Sequence, residues 1–583
     1  MKDIYRTVVL LLVLSPMFFG CEEFKLGNEF LNQQPDQVGV NIDTVFTKKQ
    51  YAAQVLTKAY STLHYAIDED ILGGDMQESI TDLSYSTCTY GGSRSSYYPG
   101  SYNSSTAGRV TKYQYDMSSI WTGIRYAWIM IENVDVVPDM SVQEKKQAKA
   151  EAKVIIASHY AELFRHFGGV QWIDHAVTPN EQHYFPRLTV QQTVTNIVSL
   201  IDEAVNDLPW SVDAANNGRI TQAYAMGLKL RVLLFAASPL FNDTKPYMEG
   251  EASTKLMTWY GNYDKARWQA AAAAGKEFMN ALNQYEQYAL VQPTAQNETA
   301  YRTAFRTAYF TRNNEVLLSS RRNFRNAYNS FFCGGADNYA STQNPTLAYA
   351  CLFQMADGTD FPSSFPWENP DVDPFAGRDP RLYETILTNN RPYKGRKSQL
   401  YVGGEDRKTE DKDGTGLLMY KFSQDYTTST SIGAIDSWPI LRLPEVFLSY
   451  AEALNEVNDG PTDEALSLVN KVRARVGLPG LPASLSKDEF RAAVLRERAC
   501  EFGYEEVHWF DIVRYKNEDA FRADIEGLNM YKSSDNPTGF TYKVFTILPE
   551  RVWKTNWSPK WYLSAFPSTE VQKGYGLIQN PGW

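Results

Sequence analysis

The 583-residue chain is poor in the signatures that announce chemistry. Its five cysteines include no closely spaced pair of the kind that holds zinc. It has no H-E-x-x-H, no phosphate-cradling G-x-x-x-x-G-K-[S/T] and no G-x-S-x-G elbow. The usual metalloprotease, nucleotide and serine-hydrolase readings therefore fall away. No basic run interrupts an acidic balance of −11 at pH 7, which argues against nucleic acid and anionic lipid surfaces as partners. No stretch approaches the roughly 18 consecutive apolar residues needed to cross a bilayer. No Gly/Ser- or Pro-rich linker divides the chain, so residues 48–583 read as a single domain, with halves of about 48–283 and about 284–583.

What the chain does have begins at its N-terminus. Lys2 and Arg6 precede an apolar run over 8–19, too short to span but suited to a signal-peptide core. Gly20-Cys21 follows and resembles the lipobox of bacterial lipoproteins, with Phe18 where leucine is more usual. Residues 1–20 are thus expected to be removed and Cys21 acylated, with 21–47 as tether. Glu22-Glu23 resemble an acidic surface-export tag. Of the other cysteines, Cys500 lies in an apolar helical pattern and reads as core. A Cys333–Cys351 bridge is compatible with an oxidising compartment but is not fixed by sequence.

Helical periodicity dominates the body. In 444–477, Val446, Phe447, Tyr450, Ala451 and Leu454 share one face, Pro444 sits in a first turn, and Gly460-Pro461 ends the segment. Thr462 can cap a second helix whose stripe runs Ala465, Leu466, Val469, Val472 and Val476 before Gly477. A helix pair of about 34 residues has the period of a tetratricopeptide unit. Similar patterns at 48–66, 119–137, 141–167, 189–208, 219–235 and 263–282 bring the count to eight helices in four pairs. Ser141 and Glu144 are placed as a capping box. Insertions interrupt the pairs at about 70–115, 284–440 and 517–583, with short strands expected near 315–321, 417–422 and 543–548. The predicted fold is mostly α: a superhelical scaffold carrying long irregular insertions.

Five motifs in order resemble the SusD/RagB family of nutrient-binding lipoproteins. They are AEAKVIIASHYAELFRHFGGV at 150–170, GRIT at 218–221 with LKLRVLLFAASPLFN at 228–242, the block at 441–479, RERACEFGYEEVHWFD at 496–511, and QNPGW at 579–583. The resemblance implies four tetratricopeptide-like pairs in a right-handed superhelix. It also implies a lipid-anchored position on the outer-membrane surface through Cys21, and a SusC-like TonB-dependent transporter as partner. The ligand is usually an oligosaccharide, with peptides an alternative. These motifs are structural and assign no binding residue.

Candidate binding residues come from composition. Sugars present C–H faces that stack on aromatic rings and hydroxyls that pair with Asp, Asn and Arg. Two insertions offer both, DLSYSTCTYGGSRSSYYPGSYN at 82–103 and the stretch from RNFRNAYNSFF at 322–332 to Tyr339, with Trp367 beyond. The stacking candidates are Tyr85, Tyr97, Tyr98, Tyr102, Tyr328, Tyr339 and Trp367. The polar candidates are Asp82, Arg94, Asn103 and Arg325. The alternative for each tyrosine is that its hydroxyl pins a long loop. A surface glycoside hydrolase is the weaker rival, since 68 acidic residues guarantee accidental carboxylate pairs. Glu505, Glu506, His508 and Asp511 cluster in sequence but read as core or capping groups, as do His159 and His166. No catalytic residue and no cofactor is assigned. A structural Ca²⁺ at Asp411/Asp413 or Asp371/Asp373 is compatible, although solvated turns explain those acids more simply.

Overall fold

The computed structural model describes residues 42–63, 75–89, 91–107, 113–178, 180–320, 343–393, 395–407, 409–410, 414–423 and 438–583. The eight expected helices are present: α1 Lys49–Tyr60, α2 Ser118–Asn133, α3 Val142–Phe167, α4 Val190–Ala204, α5 Gln222–Ala237, α6 Ala266–Tyr285, then α8 Leu443–Asn458 and α9 Asp463–Ala474. Each packs on the next in this series, α8 closing directly on α6 despite the insertion between them. The result is a mostly α, tetratricopeptide-like stack.

Local chemistry sets the boundaries. Ser141 and Glu144 form the capping box of α3, Thr189 and Gln192 form another on α4, and Thr462 caps α9. One terminator differs from expectation: the left-handed residue after α8 is Asp459 (φ +56°), one position before Gly460. The buried faces of the first two helices differ in part from the stripes that sequence spacing suggests, Tyr51, Val55, Ala59 and Leu63 on α1 and Trp121, Ile124, Trp128 and Ile131 on α2. Ala52, Val55, Leu56 and Ala59 face inward on α1, while Tyr51 is exposed. On α2 the buried set is Ile120, Ile124, Ala127 and Met130, and Trp121 and Trp128 sit at the rim, donating to the carbonyls of Tyr115 and Ile173.

Small residues bring the frame together. A Cβ at Gly123 would lie 2.1 Å from Thr62 Oγ1 and 2.4 Å from His159 Nε2. Helix α2 therefore crosses directly over the Thr62–His159 hydrogen bond of 3.0 Å. Gly275 of α6 meets the ring of Tyr450 of α8 in the same way, at 2.4 Å. His159 and His166 are both core residues, His166 stacked on Tyr113.

The insertions are less irregular than expected. The middle one carries α7 Glu298–Phe310, capped by Asn297. After α9 follow α10 Lys487–Phe502, with a Ser486–Glu489 capping box, and α11 His508–Arg514. Strand Val316–Ser320 pairs antiparallel with Trp438–Arg442, and Glu526–Lys532 forms a hairpin with Phe540–Thr546. The strand expected over 417–422 shrinks to Leu418–Met419. A second apolar core, with Phe305, Tyr309, Tyr349, Phe353, Trp438, Leu528 and Tyr542, lies beneath these elements. Cys500 belongs to it. Cys351 is half-buried at its edge, and Cys333 lies outside the described residues.

A buried ion network joins this second core to the frame. Arg442 reaches Glu315 and Glu501 at 2.8 Å and Glu505 at 2.7 Å; Arg475 also binds Glu315 and Glu501. Arg381 pairs with Asp379 at 2.7 Å and Glu497 at 2.6 Å, and Lys421 with Glu505 at 2.6 Å. Burial of such charges is tolerable only because partners and hydrogen bonds are supplied together. The network positions the insertions on the last helix pair, so these elements have a rigid base.

Candidate ligand-binding site

The first insertion does not display its tyrosines. Tyr85, Tyr97, Tyr98 and Tyr102 are 3%, 1%, 6% and 1% exposed, so their ring faces are covered and closed to a sugar in this structure. Tyr97 stacks on Tyr102 with ring centroids 4.8 Å apart, and Tyr85 on Tyr98 at 4.9 Å. Trp553, Trp561 and Trp583 complete the packing from the far end of the chain. The hydroxyl of Tyr98 donates to Ser79 O at 2.6 Å and accepts from the Ser86 N–H at 2.8 Å. Arg551 donates to the carbonyls of Thr81, Ser79 and Ser84, with its guanidinium 4.5 Å over Tyr98. Burial pushes the Tyr98 and Tyr102 hydroxyls well above their ordinary range. This is loop pinning, the reading that the sequence left open beside stacking.

The polar candidates nearby are also engaged. Asp82 pairs with His508 at 2.8 Å. Burial would lower the His508 pKa, but Asp82 outweighs it and the pKa is raised. Arg94 donates to Thr87 O at 3.1 Å. Asn103 is exposed and closes its own turn, accepting from Ser105 N–H at 2.8 Å and donating to Ser101 O. Arg325, Tyr328 and Tyr339 lie outside the described residues.

Trp367 is placed differently. It is half-buried and belongs to an aromatic row along the edge of the second core. Phe361 and Phe365 lie 5.7 and 4.8 Å from it. Tyr542, buried as a floor, lies 6.1 Å away on the hairpin. Phe540 shares a strand face with Tyr542, because side chains two apart point the same way. Tyr401 follows at 5.9 Å from Phe540, with the Lys532 ammonium 4.2 Å over its ring. Phe361, Phe365, Tyr401 and Phe540 are all half-buried.

The row is held firmly. Tyr542 N–H donates to Trp367 O at 3.0 Å, tying the 361–367 loop to the hairpin. Arg378, buried beneath Phe361 at 4.1 Å, donates to the carbonyls of Pro374, Ala350 and Phe353. Pro362 and Pro366 limit the freedom of the F-P-x-x-F-P-W segment. Such a row, half-open and rigid, can stack successive sugar rings with little ordering cost on the protein side. Sequence reasoning singled out Trp367 and missed Phe361, Phe365, Tyr401 and Phe540. The proline-spaced aromatics at 361–367 were the available signal.

Glu505 binds Arg442 and Lys421, and Asp511 binds Arg498 and Arg514. Among the described residues no group of three or more His, Cys, Asp or Glu gathers as metal ligands. Asp411 and Asp413 lie outside those residues, and Asp371 and Asp373 are exposed. A cavity of about 50 Å³ on the frame, between Ser158, Glu162, Tyr224, Arg231 and Trp438, has space for a few water molecules. Among the described residues no helix is long and apolar enough to cross a membrane.

Known proteins share this architecture. Residues 306–583 match a profile described as the SusD family, and residues 29–234 match one described as starch-binding and associating with the outer membrane. The chain belongs to the SusD/RagB family. A SusD-like protein of Bacteroides ovatus is 24% identical over 437 residues, 72% of this chain and 69% of its own length. A crystal structure of a SusD-like protein from Bacteroides fragilis superposes with a TM-score of 0.72 at 21% identity, covering 93% of this chain and 98% of that one. A second B. fragilis structure, of a SusD-like carbohydrate-binding protein, gives 0.70 at 19% identity over 91% and 99% of the two chains. At these identities the structural likeness is one of SusD fold.

Proposed function

We propose that this SusD/RagB protein captures oligosaccharides on the Trp367-centred aromatic row. In this reading it stands on the outer-membrane surface, anchored by acylated Cys21, and passes its cargo to a SusC-like TonB-dependent transporter. The single observation that carries the binding reading is the row itself: half-open rings in series on a rigid base. Family membership and the carbohydrate-binding relative support the cargo class. Gly20-Cys21 supports the anchor. The protein acts here as a binder, consistent with the engagement of Glu505 and Asp511 in ion pairs.

The test is retention in native gels containing soluble glycans, with a parallel assay for reducing ends. Trp367→Ala is expected to weaken retention about tenfold, roughly 1.4 kcal/mol, and Phe365→Ala combined with it to abolish retention. Undiminished retention in the double variant removes the row from the site. New reducing ends would establish hydrolysis, and retention of peptides in place of glycans would reassign the cargo.

A further inference from the structure

We propose that the row selects uncharged glycans, with Glu368, Asp371 and Asp373 as the residues that turn away polyanionic chains bearing uronate or sulfate groups. The inference rests on the row being the ligand surface, and it adds which chemistry that surface admits.

The loop that presents Phe361, Phe365 and Trp367 is acidic throughout. Residues 354–377 hold Asp357, Asp360, Glu368, Asp371 and Asp373 and contain no lysine or arginine. All five carboxylates are exposed. Asp360 is paired with Arg496 at 2.5 Å, which leaves four to set the local potential. Glu368 directly follows Trp367 in the chain. Asp373 is fixed by accepting the Phe375 N–H at 3.0 Å. It is also close enough to raise the pKa of the Tyr542 hydroxyl, after the larger effect of burial.

The basic groups that lie over rings of the row do not offset this charge. The Arg378 guanidinium is buried under Phe361 and committed to three carbonyls. Lys532 sits over Tyr401, at the other end of the row. A uronate or sulfate on a sugar stacked at Trp367 would therefore meet like charge, from Glu368 next to that residue in the chain and from Asp373 beside Tyr542. A neutral sugar meets none. Discrimination by placed repulsion is a standard route to specificity where stacking alone reads every ring alike.

The test uses the full-length chain in detergent and two probes, a neutral glucan and polygalacturonate. Retention is measured at about 0.01 M and about 1 M salt, where the Debye length falls from about 30 Å to about 3 Å. The wild type is expected to retain the glucan equally at both salts, and polygalacturonate at least about tenfold more weakly at low salt. The triple variant Glu368→Gln/Asp371→Asn/Asp373→Asn should raise the polygalacturonate-to-glucan ratio about tenfold at low salt. Equal retention of both probes by the wild type, or no change of ratio in the triple variant, overturns the selectivity. Retention of neither probe, or glucan retention indifferent to Trp367→Ala, overturns the site reading itself and the selectivity with it.

Discussion

Tyr97→Ala separates the two roles open to the first insertion. In the structure its ring is 1% exposed, stacked on Tyr102 at 4.8 Å and flanked by Trp561 at 5.8 Å and Trp553 at 6.3 Å. Truncating a fully buried aromatic costs about 3–5 kcal/mol, because the cavity left among large rings cannot collapse. Tyr98→Phe probes the same plug by a different term. It keeps the ring but orphans the buried Ser86 N–H, at about 1–3 kcal/mol, while the Ser79 carbonyl keeps its bond from Arg551. Both should appear as lower urea midpoints followed by tryptophan fluorescence, with Tyr97→Ala the larger shift. Glycan retention by the folded fraction should hardly change. If Tyr97→Ala instead leaves the midpoint in place and removes retention, the tyrosines are ligand contacts and the packing argument is wrong.

Arg442→Met leaves Glu315, Glu501 and Glu505 short of a buried partner and should cost about 3–5 kcal/mol in denaturant titration. Lys49→Met, at an exposed pair with Glu144, should leave the midpoint nearly unchanged. Burial, with repulsion from Glu506 and against the pull of His508, raises the Glu78 carboxyl from 4.5 to about 7. The folded state therefore favours its protonated form, an advantage complete below about pH 4.5 and lost as pH rises through about 7. Glu78→Gln should accordingly raise the urea midpoint at pH 8 and leave it nearly unchanged at pH 4; an equal gain at both would refute the assignment. Gly275→Ala drives a methyl into the Tyr450 ring and should lower the melting temperature through a loss of about 1–3 kcal/mol, whereas an unchanged melting temperature would mean α6 and α8 can separate freely.

The frame was legible because its signals are local. Three-and-four spacing, the Ser141–Glu144 box and the Thr462 cap each act within a turn or two of helix, and the structure keeps them nearly unchanged. Helix α7 escaped notice inside the middle insertion although Asn297 caps it, because its stripe of Ala300, Ala304, Phe305 and Ala308 is weakly apolar. The site was less legible for a different reason. A tyrosine-rich loop has the same composition whether its rings meet a sugar or other rings, and the deciding contacts for Tyr97, Tyr98 and Tyr102 come from residues 551–583. Trp367 could be named, but its row exists only once the hairpin brings Phe540 and Tyr542 beside it.

The plug around Tyr97 also has a consequence for biogenesis. Its two halves lie more than four hundred positions apart, so the later half leaves the ribosome, and enters any export channel, well after the earlier one. Until Arg551, Trp561 and Trp583 arrive, the stacked tyrosines near position 100 lack their outer cover. A nascent or part-translocated polypeptide should thus stay sticky and protease-sensitive there, and maturity would register as a late, abrupt gain of resistance at a place synthesised early.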